Sequence, residues 1–507
     1  MNLDNVFSPG LTVDRLMAMS GVEFGTSGAR GLVADMTDLV CFGYARGFLG
    51  YLATIGEFSP GARVALAGDL RSSTPRIMTA CAAAIVAAGG VPVSCGLVPT
   101  PTMALWSLAN KVPAMMVTGS HIPDDRNGIK FYRPGGEVLK TDEAGMRAQA
   151  LDLPRSAFDG AGMLVDPALL PAPIDTVEAY VRRYVEAFGG TLAGLKIGVY
   201  QHSAVGRDVL TRIVRELGAD AIPLGRSEKF IPVDTEAIRP EDVDLAHQWA
   251  AEYGLDAIVS TDGDSDRPLL GDHTGEWLRG DVLGVLCAAS LGAGHVVTPV
   301  SSNTVLERCG KFAKTTRTRI GSPYVIAAMN DALAAGDAGV CGYEANGGFL
   351  LASDFAYGAA TLTALPTRDA VLPILAVIAA ARPGRIADLV AALPSRVTFS
   401  DRIQNIAPES SSRLFDTLLA GGEAERLARL DAAFGAIAGK VTGLDLTDGL
   451  RMTTDKAEII HLRRSGNAPE LRCYTEADDR ARAEAINHAA LDVVRGELAA
   501  STAPASA

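Results

Sequence analysis

Asp262, Asp264 and Asp266 alternate along the run Asp262-Gly263-Asp264-Ser265-Asp266-Arg267, directly after the apolar stretch 257–261. Three carboxylates at every second position can converge on one hard divalent cation, and a set with room for further oxygens suits Mg²⁺. The competing reading is an acidic surface turn. An EF-hand starting at Asp262 needs glycine where Arg267 stands and glutamate where His273 stands. A phosphatase loop with an aspartyl nucleophile needs Thr or Val in place of Asp266, so both alternatives fail.

A second candidate is Ser120 in Thr118-Gly119-Ser120-His121, where the apolar run 114–117 stops at a glycine and hydroxyl residues. It reads either as a turn or cap residue or as a carrier of a phosphoryl group. Lys130, close behind, can neutralise phosphate, act as an acid or base, or be solvated. Upstream, Gly25-Thr26-Ser27-Gly28-Ala29-Arg30-Gly31 is either a plain turn or a loop whose small residues allow close approach of an anion, with the positive fork of Arg30 beside it. Arg267 can serve both as ion-pair partner of the acids and as a bidentate phosphoryl clamp. Glu344 and Asn346, on a glycine-flanked loop, suit paired sugar hydroxyls or are plain loop residues. Arg463-Arg464-Ser465-Gly466-Asn467-Ala468-Pro469-Glu470-Leu471-Arg472 sets arginines, a hydroxyl and an amide about a turn, which reads as a site for a phosphate dianion or as a plain hairpin turn.

These residues need a scaffold, and the chain repeats one. Strand, helix, strand and a further strand are predicted over 63–68, 74–88, 91–96 and 114–120. They recur over 196–200, 206–217, 219–224 and 257–261, and again over 295–300, 304–309, 313–320 and 338–343. Short apolar strands alternating with helices imply right-handed crossovers and three similar α/β domains with mixed or mainly parallel sheets. Each last strand runs into one of the polar clusters at 118, 262 and 344. Ligand sites in open α/β sheets lie beyond strand carboxyl ends, so the clusters are expected to face one cleft. After Leu393 the pattern changes to a strand over 396–406, helix over 411–435, strands over 442–446, 457–462 and 472–475, and a closing helix. This reads as an α+β domain with an antiparallel sheet. The expected boundaries are 1–160, 170–279, 280–392 and 393–498, with a tail at 499–507.

The 507-residue chain exceeds one core, and 48% hydrophobic residues with 53 glycines fit a globular α/β enzyme. A formal net charge of −13 argues against a nucleic-acid surface. Seven scattered cysteines without a C-x-x-C pair suggest a reducing cytoplasm. Residues 1–10 lack a basic leader region, and the apolar stretch 78–90 is too short to cross a bilayer, so no membrane association is expected.

Together the motifs resemble the α-D-phosphohexomutase superfamily over nearly the whole chain and in the family's order. The resemblance implies that Ser120 of Thr118-Gly119-Ser120-His121-Ile122-Pro123 is carried as phosphoserine, with His121 orienting its loop. It implies Mg²⁺ on Asp262, Asp264 and Asp266 together with that phosphoserine, with Arg267, Lys130 and Arg30 around the reacting phosphoryl group. Glu344 and Asn346 would read sugar hydroxyls, and Arg463, Ser465, Asn467 and Arg472 would grip the non-reacting phosphate. The implied activity interconverts hexose 6-phosphate and hexose 1-phosphate, mannose or glucose phosphates foremost, with a hexose 1,6-bisphosphate as intermediate and activator. The only implied partner is the small phosphosugar, for a monomer or homodimer. Alternatives are a phosphoglucosamine or N-acetylglucosamine-phosphate mutase, a phosphosugar phosphatase and a non-catalytic phosphosugar-binding protein. The chain departs from the family pattern at Ile122, Asn467 and Ala468. At Ser322, after Gly321, it lacks the His, Asp or Lys of many relatives.

Overall fold

The first repeat is built from strand Arg63–Gly68, helix Thr74–Ala87, strand Val91–Leu97 and strand Ala114–Val117. These coordinates are a computed structural model describing residues 6–167, 170–358, 360–464 and 470–502. Arg63–Gly68 pairs in parallel with both Val91–Leu97 and Ala114–Val117, as crossover connections require. The second repeat aligns Ala257–Thr261, Lys196–Tyr200 and Asp220–Leu224 in parallel, and the third pairs His295–Pro299 with Val340–Tyr343. A helix over Thr100–Asn110, with Pro101 in its first turn, adds an element that the alternation of apolar runs did not reveal.

Each parallel core is extended by a returning antiparallel strand. Ala114–Val117 is followed by Arg126–Arg133, Ala257–Thr261 by Pro268–Gly271, and Val340–Tyr343 by Phe349–Leu351. All three polar clusters therefore connect two neighbouring strands of one sheet. The loop cannot drift, because both its ends are fixed in a ladder. Val117 faces Ile129, Thr261 faces Pro268 and Tyr343 faces Phe349, which pins the register of each connection.

By backbone proximity the chain divides into two compact units. The larger contains residues 1–298, 312–316 and 321–390; the smaller contains 299–311, 317–320 and 391–507. The smaller unit is built on an antiparallel sheet in the order Val397–Gln404, Glu470–Ala477, Ile459–Arg464, Leu450–Thr454, Val441–Asp445. Leu450–Thr454 is a strand beyond those read from the sequence, and the predicted single helix over 411–435 is two helices, Pro408–Leu418 and Glu423–Ala438. Gly421 at φ +83° turns the chain between them. Strand alternation divides the sheet cleanly. Leu450, Met452, Ile460, Leu462, Leu471 and Cys473 form a core with residues of the helices, whereas Arg451, His461, Arg463, Arg472 and Tyr474 alternate with them. No described helix is long and apolar enough to cross a membrane.

Candidate active site

Ser120 is fully buried at the turn after Ala114–Val117 and adopts φ +54°, a left-handed conformation unusual for a residue with a side chain. Surrounding bonds hold it there. Its amide donates to Thr118 Oγ1 at 2.8 Å, and its carbonyl accepts from Arg71 Nη2 at 2.9 Å. Arg71 is itself buried, pairs with Asp69 at 3.2 Å and also donates to the carbonyls of Ile122, Pro123 and Arg126. One guanidinium thus staples the whole serine turn, and its face covers the Phe230 ring at 3.9 Å. Sequence reading passed over Arg71 and Asp69. The available signal was their position just beyond strand Arg63–Gly68, another parallel-strand carboxyl end.

The Ser120 hydroxyl donates to Asp262 Oδ2 at 2.5 Å and lies 3.3 Å from His121 Nδ1. Burial, then Arg267 and Arg30, hold the His121 pKa far below its ordinary value, so its ring is neutral. The serine turn and the aspartate loop approach closely enough that a Cβ on Gly263 would lie 2.6 Å from the Ser120 carbonyl oxygen. Only glycine fits between them.

Asp262, Asp264 and Asp266 are all buried, and ligand oxygens from the three lie within 4.8 Å of one another. Their oxygens are divided in an orderly way. Asp264 Oδ2 accepts from Thr100 Oγ1 and Lys130 Nζ, each at 2.6 Å. Asp266 Oδ2 accepts from Lys130 Nζ at 2.5 Å and from Arg368 Nε and Nη2 at 3.0 and 2.9 Å. Asp264 Oδ1 and Asp266 Oδ1 are buried with no hydrogen-bond partner. Unpartnered buried carboxylate oxygens are costly, and a hard divalent cation would satisfy them. The donor set therefore fits Mg²⁺.

Charge is correspondingly concentrated. Burial, then Asp264 and Asp266, push the Asp262 carboxyl well above its usual range. At Asp266 burial opposes ionisation, but Arg368, Lys130 and Arg267 outweigh it and hold the carboxyl low. Arg267 Nε stands 3.8 Å from both Asp262 and Asp266 without a hydrogen bond, which leaves it a donor for another anion. Arg30, opposite Gly128 on the neighbouring strand, is lowered to about 10 by burial and then by Arg267 and Arg368, and remains cationic at neutral pH.

The 344 loop also belongs to the larger unit. Glu344 accepts from Arg368 Nη1 at 2.9 Å, and Asn346 Oδ1 accepts from the Gly348 amide at 3.0 Å. The structure thus brings Ser120, His121, Lys130, Asp262, Asp264, Asp266 and Arg267 together, with Arg30 in their electrostatic reach. Arg368 joins Glu344 to that group. Sequence reading used residues 365–369 only as a landmark, and missed Arg368 and Thr100 because their aspartate partners are more than a hundred residues away.

In the smaller unit Arg463 faces Arg472 across adjacent strands, and Arg472 faces Arg402 on the next. Like charges in one row are unfavourable. Carboxylates relieve part of the cost: Asp448 pairs with Arg463 at 3.1 Å, and Glu470 pairs with Arg472 at 2.8 Å and Arg402 at 3.2 Å. Ser465 and Asn467 lie outside the described residues.

Comparison with known proteins agrees with this architecture throughout. Models of phosphoglucomutase/phosphomannomutase alpha/beta/alpha domains I, II and III match residues 21–152, 178–275 and 279–397, and the C-terminal domain model matches 420–493. A phosphomannomutase of Sinorhizobium fredii is 45% identical over 481 residues, covering 94% of this chain and 100% of that protein. A phosphoglucosamine mutase of Symbiobacterium thermophilum is more distant, at 30% over 326 residues, covering 60% of this chain and 70% of that protein. Among solved structures, a putative phosphomannomutase from Thermus thermophilus superposes with a TM-score of 0.71 at 21% identity, covering 94% and 99% of the two chains. With four domain models matched in order and near-complete alignment to a relative at 45% identity, the chain belongs to the phosphoglucomutase/phosphomannomutase family.

Proposed function

We propose that this phosphohexomutase interconverts hexose 6-phosphate and hexose 1-phosphate, with mannose phosphates the leading substrates, and that Ser120 carries the phosphoryl group. The observation that carries the reading is the Ser120 hydroxyl, buried 2.5 Å from Asp262 among three carboxylates and the cations Lys130 and Arg267. The surrounding chemistry is that of phosphate and a divalent cation. The identity to a phosphomannomutase exceeds that to a phosphoglucosamine mutase, which supports mannose over an amino sugar.

In this reading phospho-Ser120 passes its phosphoryl group to the free hydroxyl of the bound sugar phosphate. The bond from serine oxygen to phosphorus breaks as the bond from sugar oxygen forms, and the proton lost by the sugar hydroxyl is balanced by the one the serine oxygen gains, so Ser120 is left as a hydroxyl. A hexose 1,6-bisphosphate results, and its other phosphoryl group returns to Ser120 after the sugar reorients. Asp262, Asp264 and Asp266, with phospho-Ser120, would hold Mg²⁺, which supplies neutralisation of phosphoryl charge. Lys130 and Arg267 add fixed positive charge, and Arg30 adds more from the neighbouring strand. Neutral His121 hydrogen-bonds the serine loop, while Glu344 and Asn346 take sugar hydroxyls. Arg463, Ser465, Asn467 and Arg472 hold the phosphate that does not react, and the four-domain division at 1–160, 170–279, 280–392 and 393–498 assigns one loop to each domain. A trace of hexose 1,6-bisphosphate acts as activator by reloading Ser120. The seven free cysteines, six of them buried, support a reducing cytoplasm for the enzyme, as monomer or homodimer.

The test is interconversion of mannose 1- and 6-phosphates by purified protein with Mg²⁺ and a trace of bisphosphate, against a panel of glucose and glucosamine phosphates. Ser120→Ala should lower turnover by at least about 10³-fold and abolish the added phosphoryl mass of the intact protein. Retained turnover in that variant overturns the carrier role. Net release of inorganic phosphate without isomerisation would identify a phosphatase instead.

A further inference from the structure

Arg368 touches more of the site loops than any residue carried from the motifs. It lies near the end of strand Leu365–Asp369 and is almost sealed from solvent. Nε and Nη2 form a fork on Asp266 Oδ2, and Nη1 donates to Glu344 Oε2 and to Ser322 Oγ, both at 2.9 Å. Ser322 in turn donates to Glu137 Oε2 at 3.1 Å, and Glu137 Oε1 accepts from Thr367 Oγ1 at 2.6 Å. Asp369, the next residue, is held by the hydroxyls of Tyr180 and Tyr184. Both chain neighbours of Arg368 are therefore anchored. Its stem passes so close to Gly348 that a Cβ there would lie 2.6 Å from Arg368 Cδ.

We propose that Arg368 is a positioning residue that makes cation binding and sugar-hydroxyl binding depend on each other. The inference rests on the functional reading above, in which Asp266 holds the cation and Glu344 the sugar. A guanidinium is rigid and planar, so its bonds to Asp266 and Glu344 cannot reorient independently. The fork occupies Asp266 Oδ2 and so helps to determine where Oδ1, which has no hydrogen-bond partner, points. A sugar hydroxyl that draws Glu344 toward itself shifts the same plane. Ser322, the residue after Gly321, is committed here to Arg368 and Glu137. Coupling of this kind is reciprocal by thermodynamic necessity.

Calorimetric titration of the full chain with Mg²⁺ tests this, with and without saturating mannose phosphates at their equilibrium mixture. Inorganic phosphate, which brings charge without sugar hydroxyls, sets the electrostatic baseline. In the unaltered protein the sugar phosphate should tighten Mg²⁺ binding about 10-fold beyond that baseline. Arg368→Lys keeps the charge but cannot span both carboxylates, and should bring the extra factor to about 1 while each ligand alone still binds. Ser322→Ala, which removes one bond of the four, should reduce the factor in part. An unaltered protein without the extra factor overturns the proposal, as does an Arg368→Lys or Ser322→Ala variant that unfolds at the parent temperature and keeps the full factor. Absence of isomerisation in the unaltered protein would overturn the functional reading instead, a separate outcome of the same preparation.

Discussion

Lys130, Arg267 and Arg368 in the larger unit keep only 3, 11 and 3% of their side chains exposed, whereas Arg402, Arg463 and Arg472 in the smaller unit keep 50, 18 and 40%. Both groups pair with carboxylates, yet the pairing does different work. In the larger unit Lys130 and Arg368 hold one oxygen of each of two buried aspartates and leave the other without a hydrogen bond, so the acids are already oriented for a ligand of opposite charge. In the smaller unit the arginines form a row on a sheet, with water able to screen them. In the proposed reading, burial suits a preorganised reacting centre, and partial exposure suits a phosphate grip that binds and releases.

The largest expected effect strikes the buried centre. Asp264→Asn removes charge from an oxygen that has no other partner, and Mg²⁺ affinity and turnover should fall together by more than about 100-fold, beyond the cost of losing an outer partner of a metal site. A Mg²⁺ titration of turnover reads this, and chelation should silence the unaltered enzyme. An unchanged titration would break the contrast, because the buried acids would then be structural.

A smaller effect is expected in the arginine row of the smaller unit, the proposed phosphate grip. Arg463→Gln should raise KM for the sugar phosphate about 10-fold, the scale of a lost charged hydrogen bond, and leave the Mg²⁺ dependence as it was. Raising salt should increase KM of the parent and change the variant less, since exposed charges are the ones salt screens. Equal salt sensitivity in both would place Arg463 away from the anion.

Smallest is a pH effect that falls on both units alike. Burial lowers His202 in the larger unit and His461 in the smaller from 6.5 to about 4. In each, Nε2 bonds a backbone carbonyl and Nδ1 is buried without a partner. The unfolded chain binds these protons first, so the stability from keeping the rings neutral is full above pH 6.5 and is lost as pH falls toward 4. Thermal unfolding followed from pH 7 to 4.5 should show the loss, and His461→Gln should flatten part of it.

Much of the scaffold was legible in the sequence because buried strands and turn residues follow local rules. The runs 63–68, 196–200 and 257–261 are apolar and bounded by glycine or polar residues, and all three became strands at those bounds. Leu450–Thr454 escaped because Leu-Arg-Met-Thr-Thr is short and only half apolar; it is a strand because Ile459–Arg464 and Val441–Asp445 flank it. Lys130 was legible only as a residue close behind the serine motif; it lies in the interior of strand Arg126–Arg133, opposite Met116. That placement is what brings its ammonium to Asp264 and Asp266.

The sequence alone determined the three α/β repeats, the antiparallel last domain, the alternating aspartates and the serine at a strand end, since each depends on periodicity or spacing within a few residues. Tertiary structure alone decided that Ser120 meets Asp262 and that Arg71 fastens the serine turn. It alone decided that Arg368 joins Asp266 to Glu344. These contacts join residues 24 to 142 positions apart, and such partners are selected by which sheets pack together, a choice that no local pattern encodes.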